Sequence, residues 1–91
     1  MDMNFKSELI TLLDKYGCEV IDFQYFKKIF GNIVLKIQHE GTQLNFITDR
    51  GDIYCNNKLI CNCEYIRTEN KSTPQKLLEI INSELDLRYS K

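Results

Sequence analysis

Apolar residues recur with a helical period at both ends of this chain and with a period of two between them. Phe5, Leu9, Leu12, Leu13 and Tyr16 fall at i, i+4, i+7, i+8 and i+11, one stripe of a helix that Ile10 widens. Lys6, Ser7, Glu8, Thr11, Asp14 and Lys15 fill the wet side. Asn4 is the expected N-cap, because its side-chain oxygen can accept an orphan backbone N–H. Gly17 is the expected stop, because glycine takes the left-handed conformation at little cost.

From Cys18 onward the residue types change. Val20, Ile21, Phe23, Tyr25 and Phe26 crowd a first strand, with turn chemistry at Gly31-Asn32. Ile33, Leu35 and Ile37 alternate with Val34, Lys36 and Gln38. Glu40-Gly41 predicts a tight hairpin, after which Leu44, Phe46 and Thr48 alternate with Gln43, Asn45 and Ile47. Asp49-Arg50-Gly51-Asp52 predicts a second turn. Ile53-Tyr54-Cys55 is then a short strand that passes through Asn56-Asn57 into a run from Leu59 to Ile66. Asparagine tolerates the positive φ that a two-residue hairpin requires. A polar loop is expected from Arg67 to Ser72. Thr73 is the expected cap of a final helix, with Pro74 at its first position, where the missing N–H costs nothing. Leu77, Leu78, Ile81 and Leu85, widened by Ile80, mark that helix's buried face.

Loops this short force successive strands to be antiparallel neighbours, since a parallel crossover needs about a dozen residues or more. The pattern therefore predicts one α+β domain over residues 1–91: an N-terminal helix, a meander of four or five strands, and a C-terminal helix. An apolar sheet face must be covered, so both helices should pack on that face. The expected core is Phe5, Leu9, Leu13, Ile33, Leu35, Ile37, Leu44, Phe46, Leu59, Leu77 and Ile81. The other face carries Lys36, Gln38, Gln43 and Asn45, but also Val34 and Ile47. Isolated exposed apolar side chains are ordinary, yet a half-apolar open face also suits a partner.

Size and charge narrow the functions. The chain has 91 residues, 43% hydrophobic and 27% charged, with net charge −1 and pI about 5.8. A nucleic-acid binder usually shows a basic face and a high pI, so no nucleic-acid partner is expected. No stretch approaches the roughly 20 apolar residues of a membrane helix, and the first residues lack a signal-peptide pattern. A cytoplasmic protein with no membrane partner follows, with Cys18, Cys55, Cys61 and Cys63 reduced.

Candidate chemistry is sparse. Zinc would need Cys61 and Cys63 to converge with Cys55 or Cys18, and His39 as a fourth ligand. A C-x-C pair within a strand places Cys61 and Cys63 on one face and leaves Cys55 on the other, so no metal site or cofactor is expected. His39 precedes the Glu40-Gly41 hairpin, while Asp49, Arg50 and Asp52 lie at the far end of the following strand. About seven residues at roughly 3.3 Å each separate the two regions. Arg50-Gly51-Asp52 spells an integrin-binding tripeptide, but glycine flanked by aspartates is also ordinary turn chemistry. No phosphate loop, serine-nucleophile motif or H-E-x-x-H is present. The expectation is a protein without catalytic residues. The competing enzyme reading is a small hydrolase or nuclease using Asp49, Arg50 and Asp52 at a metal.

The order helix, antiparallel strands, helix is similar to a double-stranded-RNA-binding domain. That family has three strands and a lysine-rich start to its second helix. Thr73-Pro74-Gln75-Lys76-Leu77 has one lysine, so no RNA-binding residue carries over. Leu44-Asn45-Phe46-Ile47-Thr48-Asp49-Arg50-Gly51-Asp52-Ile53 resembles a strand–DRG–strand pattern of small bacterial proteins, some of which resemble immunity proteins of toxin systems. The resemblance implies a protein that neutralises a toxin by binding it. Val34, Lys36, Asn45 and Ile47 would form the contact, and Asp49 and Asp52 would steer a basic partner. The rival expectations are a homodimer through the same face and a regulatory or ligand-binding accessory domain with an enclosed apolar pocket.

Overall fold

The computed structural model describes residues 3–89. In chain order the elements are α1 (Met3–Lys15), β1 (Glu19–Phe26), β2 (Asn32–His39), β3 (Thr42–Asp49), β4 (Asp52–Cys55), β5 (Lys58–Cys61), α2 (Cys63–Thr68) and α3 (Thr73–Tyr89). The five strands form one antiparallel sheet in sequence order, β1-β2-β3-β4-β5. The α+β meander between N- and C-terminal helices is as the hydrophobic pattern predicts.

Turn chemistry sets this topology. Three of the four hairpins close through consecutive residues with positive φ: Glu40 and Gly41 (47° and 85°), Arg50 and Gly51 (53° and 90°), and Asn56 and Asn57 (50° and 69°). Two such residues make the turn whose twist matches that of paired strands. The β1–β2 connection is longer and ends on Phe30 and Gly31, again at positive φ.

The alternation in β2 and β3 places Ile33, Leu35, Ile37, Leu44, Phe46 and the hydroxyl-bearing Thr48 on the covered face, all buried. Thr48 accepts a hydrogen bond from the Ile33 N–H at 2.8 Å, so the one buried polar side chain in this layer is satisfied. Phe5, Leu9 and Leu13 of α1 and Leu77, Ile80, Ile81 and Leu85 of α3 close the core over that face. Gly17 ends α1 at φ 69°, and the Cys18 N–H returns to the Leu13 carbonyl at 2.9 Å, tying off an orphan carbonyl.

Several local expectations are overturned. Asn4 lies inside the first turn of α1 rather than capping it. The α3 cap is Ser72, not Thr73. The Ser72 hydroxyl accepts from the Gln75 N–H at 3.3 Å while Gln75 Oε1 accepts from the Ser72 N–H at 2.9 Å, a reciprocal capping box. Pro74 is therefore the second helical residue, where an N–H is still dispensable.

The run from Leu59 to Ile66 is not one strand. It stops at Cys61, and Cys63–Thr68 turns into α2. Two side chains cause the turn: Asn62 Oδ1 accepts from the Tyr65 N–H at 2.8 Å, and Asp52 Oδ1 accepts from the Cys63 N–H at 2.7 Å. Ile66 is the buried anchor of this helix. Arg67 and Thr68 thus belong to α2, not to a loop.

A register shift between Ile53 and Tyr54 pairs Tyr54 with Leu59 but Ile53 with Cys61. The extra residue, Ile60, reverses the phase. Leu59, set opposite Tyr54 by the two-residue Asn56-Asn57 turn, points away from the core and is 49% exposed, and the bulge after it returns Cys61 to the core with Cys55. The expected separation of Cys55 and Cys61 onto opposite faces is incorrect for this reason.

Candidate functional surface on the open face of the sheet

Strand pairing brings side chains from all five strands into rows across the uncovered face. One row reads Gln24, Val34, Ile47, Tyr54, Leu59. Four of its five members are apolar or aromatic. Val34, Ile47 and Tyr54 are half-buried, and Leu59 is exposed. Beside it runs Asp22, Lys36, Asn45, and beyond that Glu19, Gln38, Gln43. The face is thus an apolar stripe with polar rows on one side and Phe26 and Asn32 on the other, and no helix of the described residues covers it.

Val34, Lys36, Asn45 and Ile47 are brought together on adjacent positions of β2 and β3. Tyr54 and Leu59 complete the stripe. Tyr54 pairs with Ile47, and the two-residue Asn56-Asn57 turn sets Leu59 opposite Tyr54. Asn45 also holds the sheet: its N–H donates to Asn56 Oδ1 at 2.9 Å, and its carbonyl accepts from the Asn56 N–H at 2.8 Å. Asn56 side-chain oxygen thereby stands in for a strand carbonyl at the turn. Asn45 Oδ1 is buried with no hydrogen-bond partner, a condition that costs about 1–3 kcal/mol in general.

Asp49 and Asp52 face each other across β3 and β4, at the end of this surface. Asp49 is exposed and its Oδ1 accepts weakly from Asn32 Nδ2 at 3.4 Å. Asp52 is half-buried and committed to the α2 N-terminus. The Arg50 backbone N–H is tied to Asn32 Oδ1 at 2.9 Å, which fixes the turn to β2.

The thiols are dispersed by role. All four cysteines are free; Cys18, Cys55 and Cys61 are buried, and Cys63 is half-buried. Loss of hydration on burial pushes the Cys18, Cys55 and Cys61 thiols above their ordinary range, with Glu84 adding to the rise at Cys55. Among the described residues no three histidine, cysteine or acidic side chains are placed to hold a metal ion. His39 is not a free surface histidine. It is half-buried and stacked on Tyr89 of α3, ring centroids 3.8 Å apart.

The surface recesses are solvent-facing. One, of about 410 Å³, lies along α1 between Ser7, Leu12 and Lys15. No helix among the described residues is long and apolar enough to cross a membrane. No family profile, curated protein or solved structure matches the chain.

Proposed function

We propose that this protein is a non-catalytic binding module that engages another protein through the open face of its sheet. The observation that carries the reading is the uncovered apolar row Val34–Ile47–Tyr54–Leu59, on a face whose other rows are mainly polar apart from the exposed Phe26. An apolar centre with a polar rim is the usual anatomy of a protein interface, and aromatic residues such as Tyr54 are enriched among the contacts that dominate binding energy. Lys36 and Asn45 supply polar contacts at its edge.

The sharpest form of the proposal is a cytoplasmic immunity protein that neutralises a bacterial toxin by direct binding, consistent with the strand–DRG–strand segment. Asp49 is the acidic group free to attract a basic partner. Asp52 serves the fold first, and Arg50 beside it weakens a purely acidic steering effect.

The direct test is co-expression with the protein encoded by the neighbouring reading frame. Binding, and protection of cells from that protein, are expected. Absence of both overturns the immunity form. Self-association through the same face is the competing use of the stripe, and sedimentation separates it: a monomer that becomes a heterodimer with the neighbour's product supports the proposal, whereas a stable homodimer burying Ile47 opposes it.

A further inference from the structure

A second feature lies at one end of the sheet, where four segments converge. The β1–β2 turn brings Phe30, the β3–β4 turn brings Arg50 and Gly51, α2 brings Cys63 and Arg67, and the α2–α3 connection brings Lys71 around a recess of about 380 Å³. That volume is near the lower end of the roughly 300–1,000 Å³ range of small-molecule sites. Its lining contains three cations and no acidic side chain.

Two of those cations, Arg50 and Arg67, are in no ion pair among the described residues, although Glu64 acts on Arg67 at longer range. Lys71 is neutralised by Glu69 and Glu79. Arg67 instead donates from Nη2 to Cys63 Sγ at 3.6 Å, and Arg50 lies over the Phe30 ring, 5.3 Å from its centroid. Surface arginines are ordinarily solvated singly. Here two arginines line one recess, and a pair of guanidinium groups is suited to the oxygens of a phosphate or carboxylate. A phosphate monoester carries about −1.5 to −2 charges near neutral pH, which matches two guanidinium groups better than a single carboxylate does.

Phe30 specifies what accompanies the anion. It is 71% exposed and is held at positive φ, an unfavourable conformation for a bulky residue. A large apolar ring kept beside two cations offers a stacking surface for a second flat ring. Gly51 keeps the walls together: a Cβ there would lie 2.9 Å from Cys63 Cβ, so the DRGD turn and α2 touch only because position 51 lacks a side chain.

We infer that this recess binds a mononucleotide, its phosphate between Arg50 and Arg67 and its base against Phe30. This site adjoins the Asp49–Asp52 end of the open face but lies away from the apolar row, and it does not depend on the reading given to that row. The test is amide-resolved NMR titration at low salt with adenosine 5′-monophosphate, adenosine and inorganic phosphate, on wild type and on Arg50→Gln, Arg67→Gln and Phe30→Ala. Adenosine 5′-monophosphate should shift Arg50, Gly51, Cys63 and Arg67 saturably and slow alkylation of Cys63. Each arginine variant should weaken it roughly tenfold or more, as loss of a charged hydrogen bond does. Phe30→Ala should weaken the nucleotide but not inorganic phosphate. The site is refuted if the nucleotide gives no saturable shifts, or if arginine removal leaves its affinity unchanged. Inorganic phosphate binding as tightly as the nucleotide refutes the base contact. Amide spectra of each variant that overlay the wild type away from the recess show that folding is retained.

Discussion

Single residues decide which chemistry this chain offers, and cysteine is the clearest case. Cys18, Cys55 and Cys61 are packed among apolar side chains, and burial raises their thiols above the ordinary range. Less thiolate and less access both slow reaction. In the native protein a thiol reagent should modify Cys63 quickly and the other three only on unfolding. Mass spectrometry of a labelling time course reads this directly, and rapid native labelling of Cys55 would contradict the buried placement.

Gly51 is the second residue whose identity matters. It has φ 90° and approaches Cys63 too closely for a Cβ. Gly51→Ala should cost about 1–3 kcal/mol for the left-handed backbone alone, with the clash added. Thermal unfolding should show the loss, while Gly41→Ala, whose Cβ meets nothing, should lose only the backbone contribution. Equal losses at both positions would mean that α2 moves away freely.

Elements were legible in the sequence wherever periodicity was long and turn chemistry strong. The stripe of α1, the alternation of β2 and β3, and the Glu40-Gly41, Arg50-Gly51 and Asn56-Asn57 turns all read correctly because each is a local pattern. The second half of the Leu59–Ile66 run did not. Leu59, Ile60, Tyr65 and Ile66 look like strand residues, and the helix there is set by Asp52, eleven residues earlier, capping Cys63. Asn62 followed by Glu64 was the local signal. The same blindness hid the bulge at Ile60 and so misplaced Cys61.

α2 and α3 are joined by an ion network: Lys76 Nζ meets Glu69 Oε1 at 2.6 Å, and Lys71 bridges Glu69 and Glu79. The hydrogen bond from Lys76 holds the Glu69 carboxyl below the usual carboxylate range, and its partners Lys71 and Lys76 are held above the usual lysine range. A lowered carboxyl contributes stability above its unfolded value and loses it as pH falls through its folded value. The raised lysines contribute below the ordinary lysine range and lose that as pH rises through their folded values. Glu69→Gln should therefore lower Tm modestly at neutral pH, and the difference should close as the solution is taken below the carboxylate range. A difference that persists unchanged in acid would remove the network from the stability of this corner.

At the scale of the whole molecule, one sheet separates two surfaces with different physics. The covered face was readable because Leu35, Phe46 and their neighbours alternate without interruption. The open face was readable only in part. Val34, Lys36, Asn45 and Ile47 were visible in the alternation, but Leu59 was expected in the core, although a two-residue Asn56-Asn57 turn sets it opposite Tyr54 on the open face. The end recess was not visible at all, because Phe30, Arg50 and Arg67 are far apart in the chain and converge only through the hairpins and α2.

The open face and the core can be tested against each other. Leu35 is fully buried, and Leu35→Ala should cost about 2–5 kcal/mol. Ile47→Glu alters the opposite face of the same sheet. The decisive measurement is the affinity of wild type and Ile47→Glu for the protein encoded by the neighbouring reading frame, with unfolding curves recorded on both. Loss of binding with stability nearly unchanged is the predicted result. Undiminished binding by Ile47→Glu, or no binding by the wild type, would contradict the assignment of function to the open face.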